Sequence, residues 1–323
     1  MEGKNSLVSV LIPAYNHEKY IQETIKSIIN QTYQYIELII LDDGSKDSTW
    51  QRIMEMQKEC EERFVRVHFE TKTNEGLCRT LNKLIELAQG EYIFMIASDD
   101  LAKPNAIEEE AKFLDSHQDY ALVVGDDEII NNKSIVVYWD KNRNIVHDTR
   151  EAEYLTFKDF LEKTNKIKFT SDRFGTYESL YMDNYIPNGF LLRKTILSIF
   201  GGYNINAPLD DWYLMLQIAK YSKMKFIDKL FYSYRWHDSN NIKNQEQMKR
   251  YARMTSEYEE KVLNTIDESK VMEDVIRIKR YGYCYKKQGI PNIFQVLTIK
   301  KGSKKIKKIL VFNVPVFSYE KNL

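Results

Sequence analysis

The stretch "YIFMIASDDLAKPN" (Tyr92–Asn105) sets an apolar run fit for a buried strand directly against two adjacent carboxylates, Asp99 and Asp100. Like charges about 4 Å apart repel by roughly 4 kcal/mol at an effective dielectric near 20. The pair can face water in a loop ahead of a helix starting near Pro104. Alternatively, a bound cation can offset the repulsion. The rest of the chain has to decide between these readings.

Outward from this stretch, short β-branched runs alternate with longer segments of helical period. "LVSVLI" (Leu7–Ile12), "IELIIL" (Ile36–Leu41), "FVRVHF" (Phe64–Phe69), "YIFMIA" (Tyr92–Ala97) and "YALVV" (Tyr120–Val124) read as strands. Between them, "HEKYIQETIKSIINQ" carries Tyr20, Ile21, Thr24, Ile25, Ile28 and Ile29 as one apolar stripe at helical spacing. This alternation predicts βαβ units and an α/β fold with a largely parallel sheet. Asn16, the pair Asp42 and Asp43, and the pair Asp99 and Asp100 each follow a strand. Ligands bind beyond the carboxyl ends of strands in such sheets, so these clusters are expected to line one rim.

Composition narrows the class. With 43% hydrophobic and 29% charged residues among 323, the chain is an ordinary globular one, and its 47 basic and 47 acidic residues cancel. Nothing in that balance points to nucleic acid. Three scattered cysteines without CxxC spacing argue against a disulfide framework or a zinc site and fit a reducing cytoplasm. The leading segment does not read as a signal peptide, and no stretch approaches 18 uninterrupted apolar residues.

Several motifs carry chemistry. "LDDGSKDST" (Leu41–Thr49) reads as strand, turn and helix start. Gly44 permits a positive φ there, and Ser45 or Asp47 can cap the helix. Asp42 or Asp43 at that rim can accept hydrogen bonds from a nucleobase or ribose. "PAYN" (Pro13, Ala14, Tyr15, Asn16) either ends a strand or forms a wall of a base pocket. Arg79 follows the loop glycine Gly76 and is either a solvated helix charge or a binding group. "SDD" (Ser98–Asp100) suits a hard divalent cation that bridges a diphosphate. Asp210 and Asp211 open a helix over Asp210–Tyr221, as caps or as a general base beside an acceptor platform at Trp212 and Tyr213. Arg235 and His237 follow a strand and can reach a diphosphate or its metal. A further acidic pair, Asp126 and Asp127, is read as local.

In order, "VSVLIPAYN", "LDDGSKDST", "NEGLCRTLN", "GEYIFMIASDD", "GGYN" and "LDDWYLMLQ" resemble the inverting family 2 glycosyltransferases of GT-A fold over roughly residues 7–240. The resemblance implies a Rossmann-like, mostly parallel central sheet flanked by helices. It implies a nucleotide-sugar donor, usually a UDP-sugar, with Mn2+ or Mg2+ on its diphosphate. Pro13, Tyr15, Asn16, Asp42, Asp43, Arg79 and Asp99 would then hold the nucleotide, with Asp100 and His237 at the metal. Asp211 would be the base for single displacement, with Asp210 and Trp212 at the acceptor. Ala97 stands where many members carry the first acid of a DxD motif.

The expected organisation is a glycosyltransferase domain over 1–240, with a donor half to about 125 and an acceptor half from about 126. A helical extension over 241–323 would follow. Six lysines in "KKGSKKIKK" (Lys300–Lys308), with Ile306, Ile309 and Leu310 on a helical face, suggest a basic amphipathic anchor for an anionic membrane surface. A polyprenyl-linked or other glycan acceptor, in bacterial surface-polysaccharide synthesis, suits an enzyme at the cytoplasmic membrane. Two other readings stay open: a sugar-phosphate nucleotidyltransferase and a catalytically silent nucleotide-sugar binder. The first would favour a glycine- and basic-rich phosphate loop, which "LIPAYNHEKY" does not offer. The second would leave output unaltered when Asp211 is replaced.

Overall fold

Strands that read as unbroken Val, Ile and Leu are buried on both faces, as a covered parallel sheet requires. The computed structural model describes residues 6–165, 167–181, 183–238, 240, 243–290, 294–301, 304–311 and 314–322. The chain starts β1 (Val8–Ala14), α1 (Ile21–Ile29), β2 (Ile36–Asp42), α2 (Thr49–Glu55), α3 (Gln57–Arg63) and β3 (Arg66–Thr71). It continues α4 (Leu77–Leu87), β4 (Tyr92–Met95), β5 (Leu101–Ala102), α5 (Ala106–Ser116), β6 (Tyr120–Ile130), β7 (Val136–Trp139) and β8 (Ile145–Val146). Then come α6 (Phe157–Asn165), α7 (Tyr177–Leu180), β9 (Leu191–Arg193), α8 (Lys194–Phe200), α9 (Asp210–Tyr221) and β10 (Lys223–Arg235). The last elements are α10 (Gln245–Thr265), α11 (Glu273–Tyr281), β11 (Tyr283–Ile290), β12 (Phe294–Lys301), β13 (Lys304–Val311) and β14 (Val314–Asn322).

Two compact units emerge, and they are interleaved in sequence. The first comprises 1–175, 185–203 and 222–243, and the second 176–184, 204–221 and 244–323. This differs from the contiguous division expected at residue 240, because α9 packs with the C-terminal segments while β10 returns to the first sheet.

The first unit holds a ten-stranded sheet in the order β3-β2-β1-β4-β9-β6-β10-β5, extended by β7 and β8. Strands β1, β2, β3 and β4 pair in parallel, as do β6 and β10. The short β9 lies antiparallel between β4 and β6. β1, β2, β4, β6 and β10 therefore end on one rim. Val8, Val10 and Ile12 of β1, with Leu38 and Ile40 of β2, bury one face against Ile21, Ile25 and Ile28 of α1 and Ile107 and Leu114 of α5. Leu81 and Leu84 of α4 are buried on the other face. At about 1.5–3 kcal/mol per fully buried aliphatic side chain, this layer holds the rim in place.

In the second unit, Lys220 of α9 is fully buried and donates to Glu259 of α10 (2.8 Å) and to Gln217 (3.0 Å). Tyr177 of α7 donates to the other Glu259 oxygen at 2.5 Å. Desolvation lowers the Lys220 pKa, and the Glu259 charge opposes that fall.

The segment beyond Tyr281 is corrected by the structure. It is not a helix but an antiparallel meander, β11-β12-β13-β14. Ile306, Ile309 and Leu310 lie on β13, where Ile306 is buried opposite Ile299 of β12. A period-3/4 apolar pattern over five residues fits a short strand as well as a helix, and strand pairing decides the case here. Gly302 and Ser303 of the lysine tract lie outside the described residues. Among the described residues, no helix is long and apolar enough to cross a membrane.

Removing one partner of a buried ion pair strands the other. Lys220→Met is expected to lower unfolding free energy in urea by about 3–5 kcal/mol, with partial recovery when Glu259→Gln is added.

Candidate active site

The rim begins with two turns locked together. Asn16, with φ of 54°, donates its N–H to Ser45 Oγ (2.9 Å), and its side-chain oxygen accepts from Lys46 N–H (2.8 Å). The Asp43 N–H bonds the Ala14 carbonyl at 2.8 Å. Gly44 sits at φ of 72°, and a Cβ there would come within 2.9 Å of Asn74 N, so only glycine lets the Lys72–Asn74 loop approach. The sequence-predicted nucleotide residues Pro13, Tyr15 and Asn16 thus border Asp42 and Asp43. Tyr15 is exposed.

Both acids of the second turn are buried and engaged by the chain itself. Asp42 accepts from Thr71 Oγ1 (2.7 Å) and from the Ser45 hydroxyl. Asp43 accepts from Lys72 Nζ (2.5 Å), Glu75 N–H (3.1 Å) and Gly76 N–H (3.0 Å). Burial works to raise the Asp43 pKa, but Lys72 and these backbone donors outweigh it and hold the carboxyl below the usual range. Arg79 is exposed on the first turn of α4.

At the end of β4 the adjacent acids part company. Asp99 lies 2.8 Å from His237 Nε2 and 3.8 Å from His17 Nε2 through the same oxygen. Its burial pushes the pKa up, but the His237 hydrogen bond and the charges of both histidines overcome this and keep it low. Asp100 points inward instead. It accepts from Tyr232 OH (2.9 Å) and from Arg235 N–H (2.7 Å). Burial, with the neighbouring Asp99 charge added, drives its pKa well above the ordinary value. The carboxylate that meets the histidines is therefore Asp99, whereas the sequence pointed to Asp100 as metal ligand.

His17, which sequence analysis missed, completes the cluster. Its Nδ1 lies 2.8 Å from Ser98 Oγ, and desolvation lowers its pKa despite the nearby Asp99 charge. The His17 ring, held through Nδ1, turns Nε2 toward Asp99. One ligand atom each from His17, Asp99 and His237 fall within 4.8 Å of one another. Ligands about 2.1 Å from a shared ion lie roughly 3.0–4.2 Å apart, so a small closure fits one divalent cation. Two imidazoles and one carboxylate suit Mn2+ better than Mg2+, which prefers oxygen alone. The signal was in the sequence, since His17 directly follows "PAYN" at a strand end.

Behind the acids, Tyr232 also accepts from Ala97 N–H at 3.2 Å. A Cβ on Gly189 would lie 2.1 Å from the Tyr232 ring. Asp127, fully buried, accepts from Asn188 N–H and Nδ2, both at 3.1 Å. Burial raises its pKa strongly, and Asp126 is raised to about 6 for the same main reason.

The second unit carries the remaining predicted residues in the first turn of α9. Asp210 is raised to about 8, by burial first and by Asp211 second. Asp211 is reached by solvent, yet displacement of bulk water by the surrounding protein raises its pKa as well. Trp212 is corrected: it is buried, and its indole N–H bonds the Leu180 carbonyl at 2.8 Å, so it is a core residue rather than an open platform.

Comparison with known proteins identifies the fold and the family. The chain is 28% identical over 245 residues to TuaG of Bacillus subtilis, a glycosyltransferase named for teichuronic acid biosynthesis, covering 73% of this chain and 90% of that one. The mannosyltransferase PcManGT from Pyrobaculum calidifontis, solved with GDP-Man and Mn2+, superposes with a TM-score of 0.57 at 14% identity. That match covers 79% of this chain and 64% of the other. TarS residues 1–349 from S. aureus, solved with UDP-GlcNAc, gives 0.54 at 15% identity, covering 91% and 96%. These likenesses show the GT-A fold. The model of glycosyl transferase family 2 matches residues 9–182, more than half of the chain, and the chain belongs to glycosyltransferase family 2.

Proposed function

We propose that this glycosyltransferase moves a sugar from a nucleotide-sugar, most simply a UDP-sugar, to a hydroxyl of a glycan or polyprenyl-linked glycan. Transfer proceeds with inversion, in bacterial surface-polysaccharide synthesis. The observation that carries this reading is the convergence of His17, Asp99 and His237 beside the interlocked "PAYN" and "LDDGS" turns. Relatives named for teichuronic acid and chondroitin synthesis support the product class.

In this reading the two turns, with Arg79, form the nucleotide wall. Asp42 and Asp43 act mainly by fixing its shape, since their oxygens already accept from the chain. His17, Asp99 and His237 would hold Mn2+, which when bound neutralises the departing diphosphate. Asp100 anchors the turn from behind. Asp211 takes the proton of the acceptor hydroxyl. Asp210 is raised to about 8 by burial and by the Asp211 charge, so it holds its proton more readily than an ordinary carboxyl beside Asp211. Association with the inner face of the membrane would use the lysine-rich strands, where Lys301, Lys304 and Lys307 are exposed.

Calorimetry with UDP, with and without Mn2+, tests the ligand assignment. Asp99→Asn should abolish the Mn2+-dependent gain in UDP affinity, and Asp100→Asn should keep it within a few-fold. The reverse order would return the ligand role to Asp100. Asp211→Asn should lower kcat by about 10²- to 10⁴-fold with Mn2+–UDP affinity intact. The base works only when ionised, so the wild-type rate should fall on acidification with an apparent pKa above the ordinary value of about 3.9. Unchanged turnover in Asp211→Asn would remove the base. Reversing Lys301, Lys304 and Lys307 to glutamate should release the protein from anionic vesicles, at about 1 kcal/mol per lysine, and leave UDP binding unchanged.

A further inference from the structure

His17 and His237 are supplied by distant parts of the chain, and a shared ion needs their rings held at fixed angles. Tyr20, the residue before α1, touches the structures that carry both. Its ring stacks on the His237 ring at 5.4 Å between centroids and 21° between planes. The His17 ring meets it edge-on at 6.1 Å. The Arg235 guanidinium lies over the Tyr20 ring at 4.6 Å, and one helical turn later Glu23 accepts from the same guanidinium at 3.0 Å.

We propose that Tyr20 is a positioning residue that fixes the His237 ring through stacking, so that Nε2 is aimed at the ion site shared with Asp99 and His17. The inference rests on the reading of those three residues as a metal site. A parallel ring against the face of the His237 imidazole opposes its rotation about the Cβ–Cγ bond. The tyrosine face is electron-rich, which suits both the guanidinium and a histidine polarised by a cation. These contacts use the ring, so phenylalanine should serve in its place, whereas an aliphatic residue of similar bulk should not. Groups that act through a metal ligand commonly change metal affinity by roughly 10- to 100-fold.

The test measures Mn2+ affinity of the full chain in the presence of UDP, by electron paramagnetic resonance, for wild type, Tyr20→Phe, Tyr20→Leu and Tyr20→Met. UDP affinity without metal and thermal melting are read alongside. Tyr20→Phe is expected to match wild type. Tyr20→Leu and Tyr20→Met should bind Mn2+ roughly 10- to 100-fold more weakly, with metal-free UDP affinity unchanged. If either aliphatic variant melts early, the other serves as the probe. Wild-type Mn2+ affinity in a folded aliphatic variant overturns the role of Tyr20, as does an equal loss in Tyr20→Phe. Absence of Mn2+ binding by the wild type overturns the metal site itself, and is distinguished by failing before any substitution is made.

Discussion

The Arg235 guanidinium, with no exposed surface, is the group around which the first unit's rim is organised. A buried charge survives only when its donors are used. Here Nε donates to the Asp99 carbonyl (2.5 Å), one terminal nitrogen to the Asn131 carbonyl (3.1 Å) and Ser134 Oγ (2.9 Å), and the other to Glu23 (3.0 Å). Ser134 reaches it from a left-handed backbone position, φ of 60°, in the connection between β6 and β7. One planar fork thereby ties the acidic turn, that connection and α1 to the end of β10. Lysine, with a single rotatable ammonium, has no geometry to do this.

That fixation explains how two adjacent aspartates coexist. Burial and the Asp99 charge push the Asp100 carboxyl up, while, against burial, the hydrogen bond from His237 and the pull of both histidines bring the Asp99 carboxyl down. The repulsion suggested by the sequence is met by opposite environments, since the two carboxyls are shifted in opposite directions. In α9, by contrast, burial raises both neighbours, Asp210 to about 8 and Asp211 in the same direction. Environment, more than residue type, sets the roles.

Much of this was readable beforehand, and the reasons for the gaps are physical. Continuous β-branched runs and the stripe of α1 announced the parallel sheet, and α9 runs over the residues its pattern predicted. β9 is three residues long and antiparallel, too brief to show a period. β10 runs unbroken through "KFI" and "LFYSYR", and its pairing with β6 absorbs irregular register between them. Trp212 and Asp100 were assigned by type and motif position. Their burial depends on Leu180, Tyr232 and Arg235, partners that no local pattern names. His17 escaped notice because Ser98, which holds its ring, stands 81 positions away, and Asp99 and His237 stand farther still.

The interleaving of the two units has a consequence for biogenesis. Asp99 and its histidine partner on the far side of β10 are separated by 138 residues, and α9 of the other unit is synthesised between them. Since chains emerge and begin to fold from the N-terminus, the ribosome releases the nucleotide turns and both aspartates well before Arg235 and His237. Until β10 inserts between β6 and β5, Asp100 has neither its backbone donor nor its enclosure and remains an ordinary hydrated acid. The cluster of His17, Asp99 and His237 is therefore closed late, by a strand that can dock only once most of the chain exists. A nascent or truncated chain ending before β10 carries most of the family's sequence motifs but lacks the assembled cluster of His17, Asp99 and His237.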